Sequence, residues 1–269
     1  MRAELSAAVE KVVTGRLFHP VYQPIVHLPT GRVLGYEGLV RPAPESGFPD
    51  PGSLFGAAET SGRVVELDLA CLEIVTAGAA AIPDPLLVSL NISPRSFESP
   101  DFSAGRLLAI LRRQGIDPSR VLLELTEREA LEDLDRLRTA LAACQKAGIR
   151  IAADDVGAGN AGLKLLSQIR FDVVKVDLSL IQGSVGYEPK VGVLSSLVSL
   201  AKRWGALVVA EGVETPEQLR TVRELSIEAA QGYLLGRPGP RTDIERVDVD
   251  ALAGQPPEVG FAAAIAERA

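Results

Sequence analysis

Acidic and amide side chains recur at one kind of position in this sequence, at the carboxyl end of short apolar runs. In a barrel of parallel strands, those ends meet at one rim, where an active site is built from several strands at once. We therefore expect these side chains to converge and to bind cations there. They are Glu37, Asn91, Glu124, Glu127, Asp154, Asp155, Asp177, Glu211, Glu214 and Gln231.

The chemistry of this set indicates hard divalent cations. Crowded carboxylates raise each other's pKa unless positive charge is bound between them. Oxygen ligands without cysteine or histidine select ions such as Mg²⁺ or Mn²⁺. The adjacent pair Asp154 and Asp155 suits two metals, since one carboxylate can bridge both ions while its neighbour, on the opposite face of the strand end, binds only the second.

A second pattern follows these aspartates, because residues 157–162 read G-x-G-x-x-G between an apolar run and a helix-like segment. That is the fingerprint of a dinucleotide-binding turn. Two carboxylates directly before it would repel the pyrophosphate that such a turn holds. We interpret the glycines as a flexible loop over a metal-bound phosphate, and a dinucleotide-cofactor oxidoreductase is the less favoured alternative.

Apolar runs and helix-period segments alternate along the chain, which predicts an α/β fold with a parallel sheet wrapped in helices. The number of strands comes near the eight of a closed (β/α)₈ barrel. Strands are predicted at 21–25 with 33–36, 86–90, 121–125, 150–153, 173–176, 207–210 and 229–234. Helices are predicted at 64–79, 102–114, 132–147, 161–168, 191–204 and 216–224, the last with Thr215 as N-cap and Pro216 at its first position.

Composition excludes several classes of protein. The 269 residues carry a net charge of −7 without a basic run, which argues against a nucleic-acid duplex as partner. Cys71 and Cys144 lie far apart with no histidine nearby, so we expect buried thiols and neither a disulfide nor a zinc site. No apolar run reaches membrane-spanning length and residues 1–13 are no signal peptide, so we expect no membrane partner and a cytoplasmic protein.

The alternation of apolar runs and helix-period segments ends at about residue 247. We predict one catalytic domain at 1–247 and a linker with a short tail at 248–269. These flanks leave no room for a sensor or cyclase domain of the usual size, so we expect regulation from outside the barrel by another protein.

The motifs together resemble those of a known family. The run Tyr22-Gln23-Pro24-Ile25 and then Glu37-Gly38-Leu39 with Arg41 is similar to the opening of EAL-type cyclic-di-GMP phosphodiesterases. The later motifs follow in order, as "LNIS", "ELTE", "DD", "KVD", "AEGVE" and "QGYLLGRP". The resemblance runs from about residue 17 to residue 238.

This resemblance implies a TIM-like (β/α)₈ barrel of the EAL type that hydrolyses cyclic-di-GMP to linear pGpG with two divalent cations, Mg²⁺ or Mn²⁺. One cation would be held by Glu37, Asn91, Glu124 and Asp154, and the other by Asp154, Asp155 and Glu211. Lys175 would hold the attacking water. Its ammonium should stay protonated beside several carboxylates, which favours water positioning over proton acceptance.

The remaining motif residues divide into two groups by the role that the resemblance implies. Substrate contacts fall to Gln23, Glu37, Leu39, Arg41, Gln231 and Tyr233, with Arg41 on a phosphate, where its guanidinium can form two parallel hydrogen bonds. Glu127, Asp177 and Glu214 would anchor the glycine loop and orient the metal ligands. Family members commonly dimerise through helices beside the active site, so a homodimer through 191–204 is expected.

The sequence departs from the family pattern at Gly38, which replaces an alanine, and in the glycine loop. The loop carries Val156, Ala158, Asn160 and Ala161 where Phe, Thr or Ala, Tyr and Ser are usual. None of these is a proposed metal ligand, so an active enzyme is the main hypothesis. The alternative is a weak or inactive cyclic-di-GMP receptor that uses the same pocket.

Overall fold

The computed structural model describes residues 2–126, 133–157, 166–177, 188–240 and 242–254. Within these ranges, eight strands close into a barrel in chain order, which confirms the predicted TIM-like (β/α)₈ fold. The strands are β1 (Phe18–His27), β2 (Val33–Pro42), β3 (Leu87–Ile92), β4 (Val121–Thr126), β5 (Arg150–Val156), β6 (Val173–Asp177), β7 (Leu207–Glu211) and β8 (Ala229–Ala230).

Helices surround the barrel. They are α1 (Arg2–Gly15), α2 (Pro51–Ser61), α3 (Val64–Ala79), α4 (Pro94–Glu98), α5 (Ala104–Gln114), α6 (Leu134–Lys146), α7 (Glu188–Arg203), α8 (Pro216–Glu224) and α9 (Val249–Ala253), with 3-10 turns at Pro44–Ser46 and Pro118–Arg120. The predicted cap of α8 is present, because the Thr215 hydroxyl accepts a hydrogen bond from the backbone amide of Gln218. The predicted helix at 161–168 lies largely outside the described residues.

The first strand runs against the rest, which corrects the expectation of a wholly parallel sheet. β1 is antiparallel to both β2 and β8, whereas the pairings from β2 to β8 are parallel. The reason lies in the connection, since residues 28–32 form a short turn between β1 and β2. A parallel pair needs a crossover of a dozen residues or more, which this turn is too short to provide.

Two helices near the amino terminus were missed by the sequence analysis. α1 buries only Val9 and Val12 fully, so its apolar face is too sparse to show as a period. α2 contains two glycines, yet it begins with a reciprocal capping box between Asp50 and Ser53, and it packs against α1.

Several strand boundaries also differ from the prediction. β2 continues to Pro42, so Glu37 lies within the strand and not after it. β8 ends at Ala230 because the chain turns at Gly232, where a Cβ would meet the carbonyl oxygen of Val213 at 2.2 Å. Beyond residue 247, α9 packs against α8, and Arg220 donates to the carbonyl of Ala253. The domain boundary itself stays a prediction.

The lower half of the barrel interior is apolar. Ile25, Leu122, Ala152, Val173, Val209 and Ala229 pack together there as one buried cluster. A larger apolar layer lies between the strands and the helices and includes both free cysteines, as expected. Among the helices of the described part, none has both the length and the apolarity that crossing a bilayer requires.

Candidate active site

Polar side chains lie directly above the apolar cluster of the barrel interior. Side chains two positions apart along a strand share one face. In β4 to β7 and directly after β8, each polar residue therefore follows an apolar cluster member by two positions and points inward above it: Glu124 after Leu122, Asp154 after Ala152, Lys175 after Val173, Glu211 after Val209, and Gln231 after Ala229. In β1 the order is reversed, with Gln23 before Ile25, because that strand runs the other way.

Lys175 is the centre of this polar layer. Its side chain is 1% exposed, and its Nζ lies close to carboxylate oxygens from four other strands. The distances are 2.7 Å to Glu211, 2.8 Å to Glu124, 3.0 Å to Asp154 and 3.5 Å to Glu37. These contacts bring together Glu37, Glu124, Asp154 and Glu211, four of the ten side chains that the sequence predicted to converge.

The electrostatics follow from burial and from the excess of acids over bases. Burial raises the pKa of Glu124 and of Glu211 well above the ordinary glutamate value, and the attraction of Lys175 offsets only part of that rise. For Lys175, burial opposes the charged form, but Asp154, Glu124, Glu211 and Glu37 together hold its pKa well above the ordinary lysine value. The ammonium is therefore firmly protonated at neutral pH.

Glu37 is held by amides on both sides. The Asn91 Nδ2 donates to its Oε1 at 2.7 Å, and the Gln231 Nε2 donates to its Oε2 at 2.5 Å. The Gln231 amide also donates to Gln23, whose own Nε2 donates to the carbonyl of Gly236 at 2.9 Å. The two predicted glutamines thus fix the orientation of Glu37 within the barrel.

Ser89 is a residue of this layer that the sequence analysis missed. Its hydroxyl is fully buried and donates to the Glu124 Oε1 at 2.5 Å, which helps to keep that carboxylate aimed at Lys175. A signal was present in the sequence, since Ser89 is a small polar residue two positions before Asn91 in an otherwise apolar strand.

A β-bulge brings both aspartates of the "DD" pair to the site. On β5 the register with β6 shifts, so that Ala153 pairs with Val174 and Val156 with Val176. Asp154 and Asp155 therefore lie opposite Lys175 alone, and Asp155 takes a left-handed conformation with φ +55°. This corrects the expectation that the pair would point to opposite faces, because carboxylate oxygens of Asp154, Asp155 and Glu211 lie within 4.8 Å of one another.

The donor set fits divalent cations. Asp154, Asp155 and Glu211 provide oxygen ligands only, which hard ions prefer. The Glu211 Oε2 is buried and has no hydrogen-bond partner among the described residues. A buried oxygen without a partner is costly unless a cation or water satisfies it.

A cleft of about 380 Å³ leads from these acids toward α2 and α3. Leu39 and Arg41 of β2 line it together with Asp154 and Asp155. The Arg41 Nη1 donates only to the neighbouring carbonyl of Val40, at 3.0 Å, among its described hydrogen bonds. Arg41 thus lines the same cleft as the acids and takes part in none of the described ion pairs.

Tyr233 is 48% exposed beyond β8, and the guanidinium of Arg237 lies 4.4 Å from the centre of its ring. Arg237 was not singled out from the sequence, although it belongs to the "QGYLLGRP" motif. The stacked pair presents a flat surface of the kind on which bases stack.

The residues predicted to anchor or form the glycine loop lie partly within and partly outside the described ranges. Asp177 ends β6 and lies in register with Glu211, and Glu214 is exposed just before the cap of α8, its backbone amide donating to Gln218. Val156 is buried at the end of β5. Glu127, Ala158, Asn160 and Ala161 lie outside the described residues, so the anchoring of the glycine loop stays a prediction.

Comparison with known proteins follows the same motifs. The family model described as "EAL domain" matches residues 3–238. A "Probable cyclic di-GMP phosphodiesterase PdeN" of Escherichia coli K12 is 34% identical over 235 residues, which are 85% of this chain and 45% of that protein. A signalling protein of Caulobacter vibrioides is 33% identical over 87% of this chain, but this chain spans only 29% of its length.

Solved structures are similar as well. One is a Klebsiella pneumoniae BlrP1 structure, a calcium and cyclic-di-GMP complex, which is 33% identical with a TM-score of 0.75. The matched region is 87% of this chain and 58% of the BlrP1 chain. The PaMucR phosphodiesterase in complex with cyclic-di-GMP is 28% identical with a TM-score of 0.78. The matched region is 88% of this chain and 98% of the PaMucR chain. With the acids, the lysine and the barrel placed as described, this chain belongs to the EAL domain family.

Proposed function

We propose that this chain hydrolyses one phosphodiester bond of cyclic-di-GMP to give linear pGpG. The observation that carries the proposal is the buried group of carboxylates around Lys175 at the carboxyl ends of the barrel strands. The names of the E. coli relative and of the MucR structure support the same activity, since both are called phosphodiesterases.

Two divalent cations, Mg²⁺ or Mn²⁺, fit the donor set of this site. Glu37, Asn91, Glu124 and Asp154 would hold one, and Asp154, Asp155 and Glu211 the other. When bound, such cations supply Lewis-acid stabilisation of phosphoryl oxygens and lower the pKa of a water molecule. The buried Glu211 Oε2 without a described partner supports this assignment, as do the calcium and manganese complexes of BlrP1.

Lys175 acts as a donor in this proposal and not as a base. Its raised pKa keeps the ammonium charged at neutral pH, so it can orient a water oxygen through N–H donation. The four carboxylates around it keep the Nζ in one place, and preorganised charge of this kind stabilises the transition state without reorganisation.

The cleft beside the acids receives the dinucleotide. Arg41 binds a phosphate oxygen, since it lines the cleft next to Asp154 and Asp155. Tyr233, with Arg237 on its ring, offers a stacking surface for a guanine. Leu39 contributes apolar contact in the cleft wall.

The test is chromatographic analysis of cyclic-di-GMP after incubation with purified protein in Mg²⁺, in Mn²⁺ and in chelator. We expect pGpG only with metal, and none from an Asp154→Asn variant. Asp248→Asn is the matched control, because Asp248 caps α9 away from the acids and asparagine caps a helix equally well. Binding of cyclic-di-GMP without product in either metal would reject the enzyme and leave the receptor.

A homodimer through α7 is a further part of the proposal. Val193 on that helix is 53% exposed and is, with Tyr233, one of two exposed large hydrophobic residues in the described part of the chain. Light scattering should give twice the monomer mass, and a value near 28.5 kDa would contradict the dimer. The cytoplasmic location and an external regulatory protein stay predictions from the sequence.

A further inference from the structure

Gly38 leaves a notch on the outer face of β2. Glu37 points into the barrel, so its neighbour Gly38 points outward, toward α3. A Cβ built on Gly38 would lie 2.1 Å from the Cγ1 of Val75 on α3, far inside van der Waals contact. The side chain of Val75 therefore occupies the volume that the side chain of residue 38 would otherwise fill.

Val75 cannot easily leave this notch. It is buried, and a valine in a helix is largely confined to one rotamer. Its carbonyl oxygen accepts a hydrogen bond of 2.7 Å from the hydroxyl of Tyr22, the residue that pairs with Gly38 across β1 and β2. One turn further along α3, Gly78 has no room for a Cβ either, since it would meet the Tyr22 hydroxyl at 2.2 Å.

The same helix also holds the neighbouring strand. Asp68 of α3 is buried and accepts from the Ser93 amide at 2.9 Å and from the Ser96 hydroxyl at 2.5 Å, directly after β3. α3 thus fixes β2 through the Gly38 notch and the end of β3 through Asp68. Between these points lies the 2.7 Å hydrogen bond from Asn91 on β3 to Glu37 on β2.

We infer that Val75 is a positioning residue for Glu37, and that it acts by filling the Gly38 notch. This inference rests on the proposed function, in which Glu37 and Asn91 hold a divalent cation. Support from behind β2 keeps the Glu37 carboxylate in reach of Asn91, Gln231 and Lys175. Residues 38 and 75 should then act as a pair, because only their combined volume matters.

The experiment is a double-mutant cycle read by the affinity for Mn²⁺, measured by calorimetry on the whole chain without substrate. Gly38→Ala overfills the notch and should weaken Mn²⁺ binding about tenfold or more, the range found when residues supporting metal ligands are changed. Val75→Ala empties the notch and should also weaken binding. In the double variant the two Cβ atoms lie 3.5 Å apart, an ordinary contact, so binding should be tighter than in either single variant.

Val222→Ala is the control, because it makes the same truncation at a fully buried position of α8 without facing β2 or β3. It should lose stability but keep the Mn²⁺ affinity of the unaltered protein. The inference would be overturned if Gly38→Ala keeps the Mn²⁺ affinity of the unaltered protein. It would also be overturned if the double variant binds Mn²⁺ no better than the single variants, or fails to fold. If Gly38→Ala alone fails to fold, a folded double variant that binds Mn²⁺ supports it.

The two proposals fail in different ways. Unaltered protein that binds Mn²⁺ but leaves cyclic-di-GMP intact would reject the activity, while the coupling between residues 38 and 75 would still be measured. Hydrolysis by the unaltered protein with additive effects of the two substitutions would reject only the positioning role.

Discussion

Replacement of Lys175 by methionine would test how far one ammonium stabilises the buried acids. Methionine has a similar length and no charge, so the four carboxylates would lose their shared cation while remaining buried. Removing one partner of a buried ion pair costs about 3–5 kcal/mol. Three carboxylate oxygens lie within 3.0 Å of the Nζ, which places the expected loss near the upper end of that range. At roughly 2 °C per kcal/mol for a chain of this size, the melting temperature should fall by about 10 °C.

The assay is thermal unfolding at pH 7.5 in chelator and again in saturating Mn²⁺. The raised pKa of Lys175 means that its contribution is complete below the ordinary lysine pKa and is lost only as pH rises through the folded value, so neutral pH shows the full effect. Mn²⁺ should stabilise the Lys175→Met variant more than the unaltered protein, because cations replace the missing charge. Lys202→Met is the control, since Lys202 is exposed and donates only to the Ser226 carbonyl among its described contacts. A Lys175→Met variant as stable as the unaltered protein in chelator would refute the reasoning.

Three further predictions concern the same site. The pKa of Glu124 and of Glu211 is raised on folding, so the metal-free folded protein binds more protons than the unfolded chain. These groups should therefore add stability as pH falls through their raised pKa toward the ordinary glutamate range. In urea unfolding with chelator, the Glu124→Gln variant should gain less stability as pH falls than the unaltered protein does. A larger gain in the variant would contradict a raised pKa at Glu124. Asp155 has φ +55°, which asparagine tolerates, so Asp155→Ala should be less stable than Asp155→Asn by about 1 kcal/mol, and equal urea midpoints would argue against strain there. Tyr233→Ala should weaken equilibrium binding of cyclic-di-GMP in chelator by about 1–3 kcal/mol while leaving the melting temperature unchanged, and unaltered binding would remove Tyr233 from the substrate contacts.

The sequence could predict features that depend on local pattern. Helix α3 begins and ends at the predicted residues 64 and 79, and α8 at 216 and 224, because apolar periods and, for α8, the Thr215 cap are local signals. The convergence of Glu124, Asp154 and Glu211 was likewise accessible, since each lies near the carboxyl end of a strand that runs parallel to its neighbours. The roles assigned to them were drawn from the family resemblance.

Other features depend on contacts between distant parts of the chain and could not be read from local pattern. The bulge at Asp154 and Asp155 exists only relative to β6, so alternation along β5 alone predicted opposite faces for the two carboxylates. In the sequence, Gly38 was visible only as a departure from the alanine of the family pattern. Its tight contact with Val75, 37 positions away, became visible only in the packing of α3 on β2.

The reversed first strand also determines where the chain enters the barrel. In a barrel of parallel strands, the segment before the first strand lies at the face opposite the active site. Here Phe18, at the start of β1, pairs with Pro42 at the end of β2, so α1 joins the barrel on the catalytic side. α1 packs on α2, whose residues Pro51 and Phe55 line the cleft, and it also contacts Arg63 through Ser6 and Glu10. Only one helix, α2, thus separates α1 from the cleft, so the amino-terminal helix packs close to the face of the barrel where the acids lie.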